Sequence, residues 1–355
     1  MLKATQDVLN YFKESRQDYS VIKAYCRTIY LLGTQEDFQV IEAFFLENFQ
    51  NSYTHALVNI LIKSENPHNT AQLILDTCFE NNLLKENAPK ELLNLLGYFR
   101  YEPALPILEH YVFQENSYYI NQSAVLGILY FDCSHLQDQI KQAIEECYGK
   151  NLFKEFMPAL VAKLDDKTEI LENLYTLGAT ICSTDCNGGI VLGFALSGAE
   201  GETYFRKVYA DPYWELDSGA TGSVYWTYMG FQHFGITFKK LYQELKNTQD
   251  PKIEKHLTRL ILGFLRLKIN LNLKSEMLPI QNNVSESFLS IYKRLYGWED
   301  PNKSNNITDF AKKHDIDKKS YEYDLQKEAY ELERLLGQKV QEEILLQNLK
   351  SENIH

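Results

Sequence analysis

The chain has 355 residues, 45% of them hydrophobic and 24% charged, and its 36 Lys and Arg against 48 Asp and Glu leave a net charge of −12. This is too apolar for a disordered chain, and long enough to bury a large core in two domains or in one array of stacked repeats. An acidic balance of this size repels phosphate backbones, which argues against nucleic acid and for a basic partner.

The first segments read as helices in succession: Thr5–Ser15, Ser20–Leu32, Asp37–Asn48, Tyr53–Lys63, Thr70–Asn81 and Lys90–Leu96. Each has apolar residues three and four apart, the separators are short and polar, and no convincing strand pair intervenes. The most instructive stretch follows, Leu95 to Phe113, LLGYFRYEPALPILEHYVF. Leu92, Leu93, Leu95 and Leu96 give one helix its apolar stripe, with Gly97 placed to close it. Pro103 can sit in the first turn of the next helix, where its missing N–H is harmless, and Ala104, Leu105, Leu108 and Val112 continue at helical spacing.

This unit resembles a HEAT repeat, in which two antiparallel helices carry a Leu-Gly at the turn and an Ala-Leu-Pro-x-Leu opening the second helix. The same stop recurs at Leu32-Gly33, Leu126-Gly127 and Leu177-Gly178, each followed by a new apolar stripe; Gly97 and Gly127 are thirty residues apart. The resemblance implies an all-α chain, a right-handed α-solenoid of HEAT-like antiparallel helix pairs over residues 1–300, with Gly33, Gly97, Gly127 and Gly178 at or just past helix ends. A globular all-α bundle is the alternative. Residues 250–268 and 283–296 read as two further helices. Residues 301–320 are polar and turn-rich and read as a linker. In residues 321–355, Leu325, Leu332, Leu336, Val340, Ile344 and Leu349 mark a C-terminal amphipathic helix that caps the array or self-associates.

No basic-then-apolar leader opens the chain, and apolar runs such as 190–196 are too short to span a bilayer, so the expectation is a cytoplasmic protein with no membrane association. Six scattered cysteines, Cys26, Cys78, Cys133, Cys147, Cys182 and Cys186, are expected to be reduced. Cys182 and Cys186 beside Asp185 offer two soft ligands, too few for a zinc site without two more nearby, and packing around a helix turn is the simpler reading. Gly188-Gly189 followed by Gly193 lacks the strand and the Lys-Ser/Thr of a phosphate cradle. Nothing in the sequence calls for a metal, a cofactor or catalytic residues.

Two features carry the functional expectation. The stretch 211–232, DPYWELDSGATGSVYWTYMGFQ, gathers large amphipathic rings beside mobile glycines: Tyr213, Trp214, Tyr225 and Trp226, with Asp217 at the rim. Such rings line binding grooves or fill the seam between repeats. The second feature is charge. Residues 101–200 carry 5 Lys and Arg against 14 Asp and Glu, spread over successive segments from Glu102 to Glu145, Glu146 and Glu155 and on to Asp165, Asp166, Glu169 and Glu172. In stacked repeats such positions align into a stripe.

The expected function is therefore a non-enzymatic protein-interaction module, in one version a bacterial inhibitor or immunity protein that masks a basic protein. One alternative is an enzyme resembling the HEAT-like alkylpurine DNA glycosylases, for which Trp214, Asp217 and Trp226 supply the residue types, though a basic groove is lacking. Another is a regulator that binds a peptide or small ligand through the aromatic stretch.

Overall fold

The computed structural model describes residues 1–114, 118–149, 154–180 and 184–211, together with Trp214, Phe234, Glu244, residues 247–253 and Leu257. The polar linker 301–320, the amphipathic segment 321–355 and the segments 261–268 and 283–296 lie outside the described residues.

The described chain is mostly helical. Its elements are α1 (Lys3–Tyr11), α2 (Tyr19–Leu32), α3 (Gln35–Asn48), α4 (Val58–Leu61), α5 (Pro67–Cys78), β1 (Phe79–Glu80), β2 (Leu83–Leu84), α6 (Glu91–Tyr98), α7 (Leu105–Phe113), α8 (Tyr118–Ile128), α9 (Gln137–Gly149), α10 (Thr168–Thr180), α11 (Thr184–Leu196) and α12 (Gly198–Ala210). Turns of 3-10 helix precede α4, α7 and α9, and a longer one spans Met157–Lys163. No helix among the described residues is long and apolar enough to cross a membrane.

The helix expected over Thr70–Asn81 ends early. Phe79 and Glu80 pair with Leu84 and Leu83 in a small antiparallel hairpin, contrary to the expectation of no strand pair. Asn81 and Asn82 turn the chain with φ of 51° and 64°, the positive values a two-residue hairpin turn requires and asparagine tolerates.

Packing follows chain order. The sequence α2, α4, α6, α8, the Met157–Lys163 segment and α11 forms one run in which each member touches the next, while α3 touches α5, and α10 touches α12. The first run is the more deeply buried: Val58, Ile60 and Leu61 of α4, Leu92 to Leu96 of α6, Ala124 and Val125 of α8, and Ile190 to Ala195 of α11 are all shielded from solvent. A helix buried on every side needs no polar face, which is why these segments read as almost continuously apolar.

Two glycine contacts set the closest approaches. A Cβ on Gly97 would lie 2.2 Å from Gly127 O and 2.4 Å from Gly127 Cα, so α6 and α8 cross backbone against backbone. On α11, Gly189 lies against Glu155 O and Gly193 against Pro158 O and Val161. The glycines that are no phosphate cradle are thus notches in a helix packed on the 3-10 segment.

Side-chain hydrogen bonds repeat the same ladder, joining groups 26 to 36 residues apart. Thr70 Oγ1 donates to Glu42 (2.7 Å), Gln122 Nε2 to Glu155 (2.9 Å), Lys163 Nζ to Phe131 O (2.8 Å) and Tyr175 OH to Asp211 (3.2 Å). Thr5 Oγ1 donates to Asp37 (2.7 Å), and Tyr101 OH to Gln72.

Candidate functional site

Seven of the fourteen acidic residues of the middle hundred stand at the leading ends of helices, whereas Glu109 lies within α7 and Glu145 and Glu146 lie in the trailing half of α9, away from the expected stripe. Glu102 stands in the turn before α7, Asp132 before and Asp138 within the first turn of α9, Asp165, Asp166 and Glu169 around the start of α10, and Glu200 in the first turn of α12; all are exposed. Each has a local reason to be there, because a carboxylate near a helix N-terminus meets the positive end of the helix dipole and its unpaired N–H groups. Asp132 accepts hydrogen bonds from Ser134 N (3.0 Å) and Ser134 Oγ, and these hold its carboxyl below the usual carboxylate range.

Cross-links set these ends side by side. Gln137 at the start of α9 donates Nε2 to Lys163 O (2.8 Å) and accepts from Asp165 N (2.9 Å). Thr168 Oγ1 at the start of α10 donates to Glu200 Oε2 (3.0 Å). Asp165, Asp166 and Glu169 therefore continue a row that has the leading end of α9 on one side and α12 on the other. Glu172 is exposed one turn further along α10, with its Oε2 4.0 Å from Lys207 Nζ. Glu155 does not belong to the row: it is 7% exposed and bonded to Gln122. The expectation for that residue fails because its segment is folded under α11 at the Gly189 notch.

The row is not purely acidic. Lys163 and Lys167 are half-buried among these carboxylates, with their ammonium groups turned onto Phe131 O (2.8 Å) and Ala162 O (3.3 Å). Burial pushes the Lys163 ammonium below its ordinary range, against the pull of Cys133 and Asp132.

The aromatic stretch resolves differently. Trp214 is fully buried, its ring atoms 2.0 to 2.6 Å from where a Cβ on Gly178 would sit. It stacks on Tyr175 at 5.8 Å and tilts against Phe194 at 6.2 Å. The expectation that Trp214 lines a partly exposed groove is therefore not met; a ring enclosed by α10 and α11 on a bare glycine is core. Tyr213, Asp217, Tyr225 and Trp226 lie outside the described residues, as do Cys182 and the side chains of Asp185 and Cys186. Cys26, Cys78, Cys133 and Cys147 are buried, and burial pushes the first two thiols up to about 12. They are inert packing groups.

One concavity was not read from the sequence. Between α7 and α9 lies an open groove of about 440 Å³, lined on one side by Pro106, Glu109, His110, Phe113 and Gln114 and on the other by Gln139, Gln142, Ala143 and Glu146. Gln139, Gln142 and Glu146 fall three and four apart on an exposed helix face, a pattern that sequence could have flagged. That α7 faces α9 is a tertiary fact with no local signal. Comparison of the chain with protein-family models, with curated proteins and with solved structures gives no match.

Proposed function

We propose that the chain is a HEAT-like, right-handed α-solenoid that works as a non-enzymatic protein-interaction scaffold and binds a basic protein along its row of carboxylates. The architectural support is the packing of each buried segment on the one a helix pair later, together with side-chain bonds that span 26 to 36 residues. This is what a quasi-one-dimensional array of helix pairs requires. The observation that carries the function is the recurrence of exposed Asp and Glu at the leading ends of α7, α9, α10 and α12, with neighbouring ends tied by Gln137 and Thr168. Carboxylates held in a row raise a field that steers a cationic partner and fixes its register. An inhibitor or immunity protein that masks a basic protein is the specific form of this reading. The glycosylase alternative loses one of its two tryptophan clamps, because Trp214 is enclosed in the core.

Affinity purification of the full chain from its native host at low and at high salt, with mass spectrometry of what is retained, tests the proposal. Basic proteins held at low salt and released at high salt are expected. Retention of acidic or neutral partners insensitive to salt would contradict it.

A further inference from the structure

The groove between α7 and α9 combines features that a row of surface charges lacks. It has a concave shape, apolar side chains in Pro106, Phe113 and Ala143, and amides in Gln114, Gln139 and Gln142. Its two carboxylates, Glu109 and Glu146, stand on the two different helices. No Lys or Arg is among the described residues that line the groove; His110 in the lining has its Nδ1 2.9 Å from Gln114 Oε1, and His135, outside the lining, has its Nε2 2.8 Å from Glu109 Oε1. Gln142 Nε2 donates to Glu146 Oε1 at 3.0 Å, which fixes that carboxylate against its own helix. One oxygen of each carboxylate is engaged in this way, and Glu109 Oε2 and Glu146 Oε2 remain without a hydrogen-bond partner among the described residues.

We propose that this groove is the docking site for an arginine-bearing segment of the partner protein, with one guanidinium held between Glu109 and Glu146. The volume is at the lower end of what peptide and ligand pockets use. A planar guanidinium donates in a fork that suits a carboxylate on either side, and its weak hydration lets it lie against Phe113. The amides add neutral donors and acceptors for the segment's backbone without opposing its charge. This inference deepens the reading above and rests on it, since a partner that is not basic has no guanidinium to place.

The test uses the full chain and a short fluorescein-labelled peptide that carries two arginines, with a second peptide in which citrulline replaces both. Citrulline keeps the shape and removes the charge. Fluorescence anisotropy at low ionic strength is expected to show saturable binding of the arginine peptide and at least tenfold weaker binding of the citrulline peptide. Glu109→Gln and Glu146→Gln should each weaken the arginine peptide by about tenfold, and Ala143→Lys, which sets a like charge in the groove, should abolish binding. Thermal melts of the three variants should match the wild type closely, because Glu146 is exposed and Glu109 and Ala143 are half-buried. Unchanged affinity in both glutamine variants, with binding lost instead in an Asp165→Asn, Asp166→Asn, Glu169→Gln, Glu172→Gln variant, overturns the groove and leaves the row. Absence of saturable binding in every arm overturns both. Equal binding of the citrulline peptide overturns the guanidinium as the recognised group.

Discussion

Gly97→Ala probes the packing of α6 on α8. An alanine inside an ordinary helix is worth about 1 kcal/mol more than glycine, so a helix that met nothing there would gain stability. Here the new methyl would lie 2.2 Å from Gly127 O, 2.4 Å from Gly127 Cα and 2.5 Å from Gly127 C, where 3.4 to 4 Å is ordinary contact. The obstacle is backbone, so no rotamer relieves it, and α6 and α8 must separate by an ångström or more. That gap loosens Leu93 and Leu96 against Ala124, Val125 and Ile128, all within 1% of complete burial. Overpacking of this kind costs about 3 kcal/mol, and with the alanine gain subtracted the net loss is about 2 kcal/mol. Urea denaturation followed by circular dichroism should show the midpoint falling by roughly 0.7 M for an m-value near 3 kcal/mol/M. Gly127→Ala, whose Cβ would meet Leu93 O at 2.5 Å, should behave alike, and the double variant should lose less than the sum because one separation relieves both. A Gly97→Ala protein more stable than wild type would mean that α6 and α8 do not cross backbone against backbone.

Gly178→Ala should displace the Trp214 ring and lower stability by about 2 kcal/mol, with a changed near-ultraviolet dichroism of the folded protein; an unaltered spectrum and melt would return Trp214 to the surface. Asp37 is buried, which raises its carboxyl pKa, but hydrogen bonds from Thr34 N, Thr5 Oγ1, Leu2 N and Thr34 Oγ1 outweigh burial and hold it below the ordinary range. A depressed folded value stabilises above the unfolded value of about 3.9 and loses that stability as pH falls through the folded one. Asp37→Asn should therefore cost about 2 kcal/mol at neutral pH, and urea titrations should show the gap to wild type beginning to narrow as pH falls below roughly 4; a gap that does not change with pH would contradict this. Arg100, with φ of 49°, closes α6, its N–H reaching Gly97 O and that of Tyr101 reaching Leu96 O. Arg100→Gly should raise the melting temperature slightly, by no more than about 1 kcal/mol in stability, since relief of the left-handed strain is offset by a freer unfolded chain.

The Leu-Gly stops show how far sequence could go. They marked the helix ends to within a turn and their thirty-residue interval matched the stacking of α6 on α8, yet the reason was different. Gly33 does follow α2, but Gly97, Gly127 and Gly178 lie inside the last turns of α6, α8 and α10 with ordinary helical φ. They are bare because a neighbour's backbone or ring presses on them, a tertiary demand that looks like a terminator in one dimension. The left-handed residue that ends α6 is Arg100, which no propensity would nominate. Residue type leaves Trp214 open as groove or seam, and its complete burial against the bare Gly178 decides. The charge excess is legible as a total, whereas the placing of half of its carboxylates at exposed leading ends, with Glu155 withdrawn beneath α11, depends on the packing order. The α7–α9 groove was illegible because neither helix carries a sign of its neighbour.

Steering by the row of carboxylates is tested most directly by stopped-flow measurement, across ionic strength, of the rate at which the chain associates with a basic protein retained at low salt. A steered encounter should slow by tenfold or more as salt shortens the screening length from roughly 30 Å at 0.01 M to about 8 Å at physiological strength. Conversion of Asp165, Asp166, Glu169 and Glu172 to lysine should lower the low-salt rate by at least as much while the circular dichroism melt is unmoved. A rate indifferent both to salt and to the four reversals would exclude steering by these carboxylates.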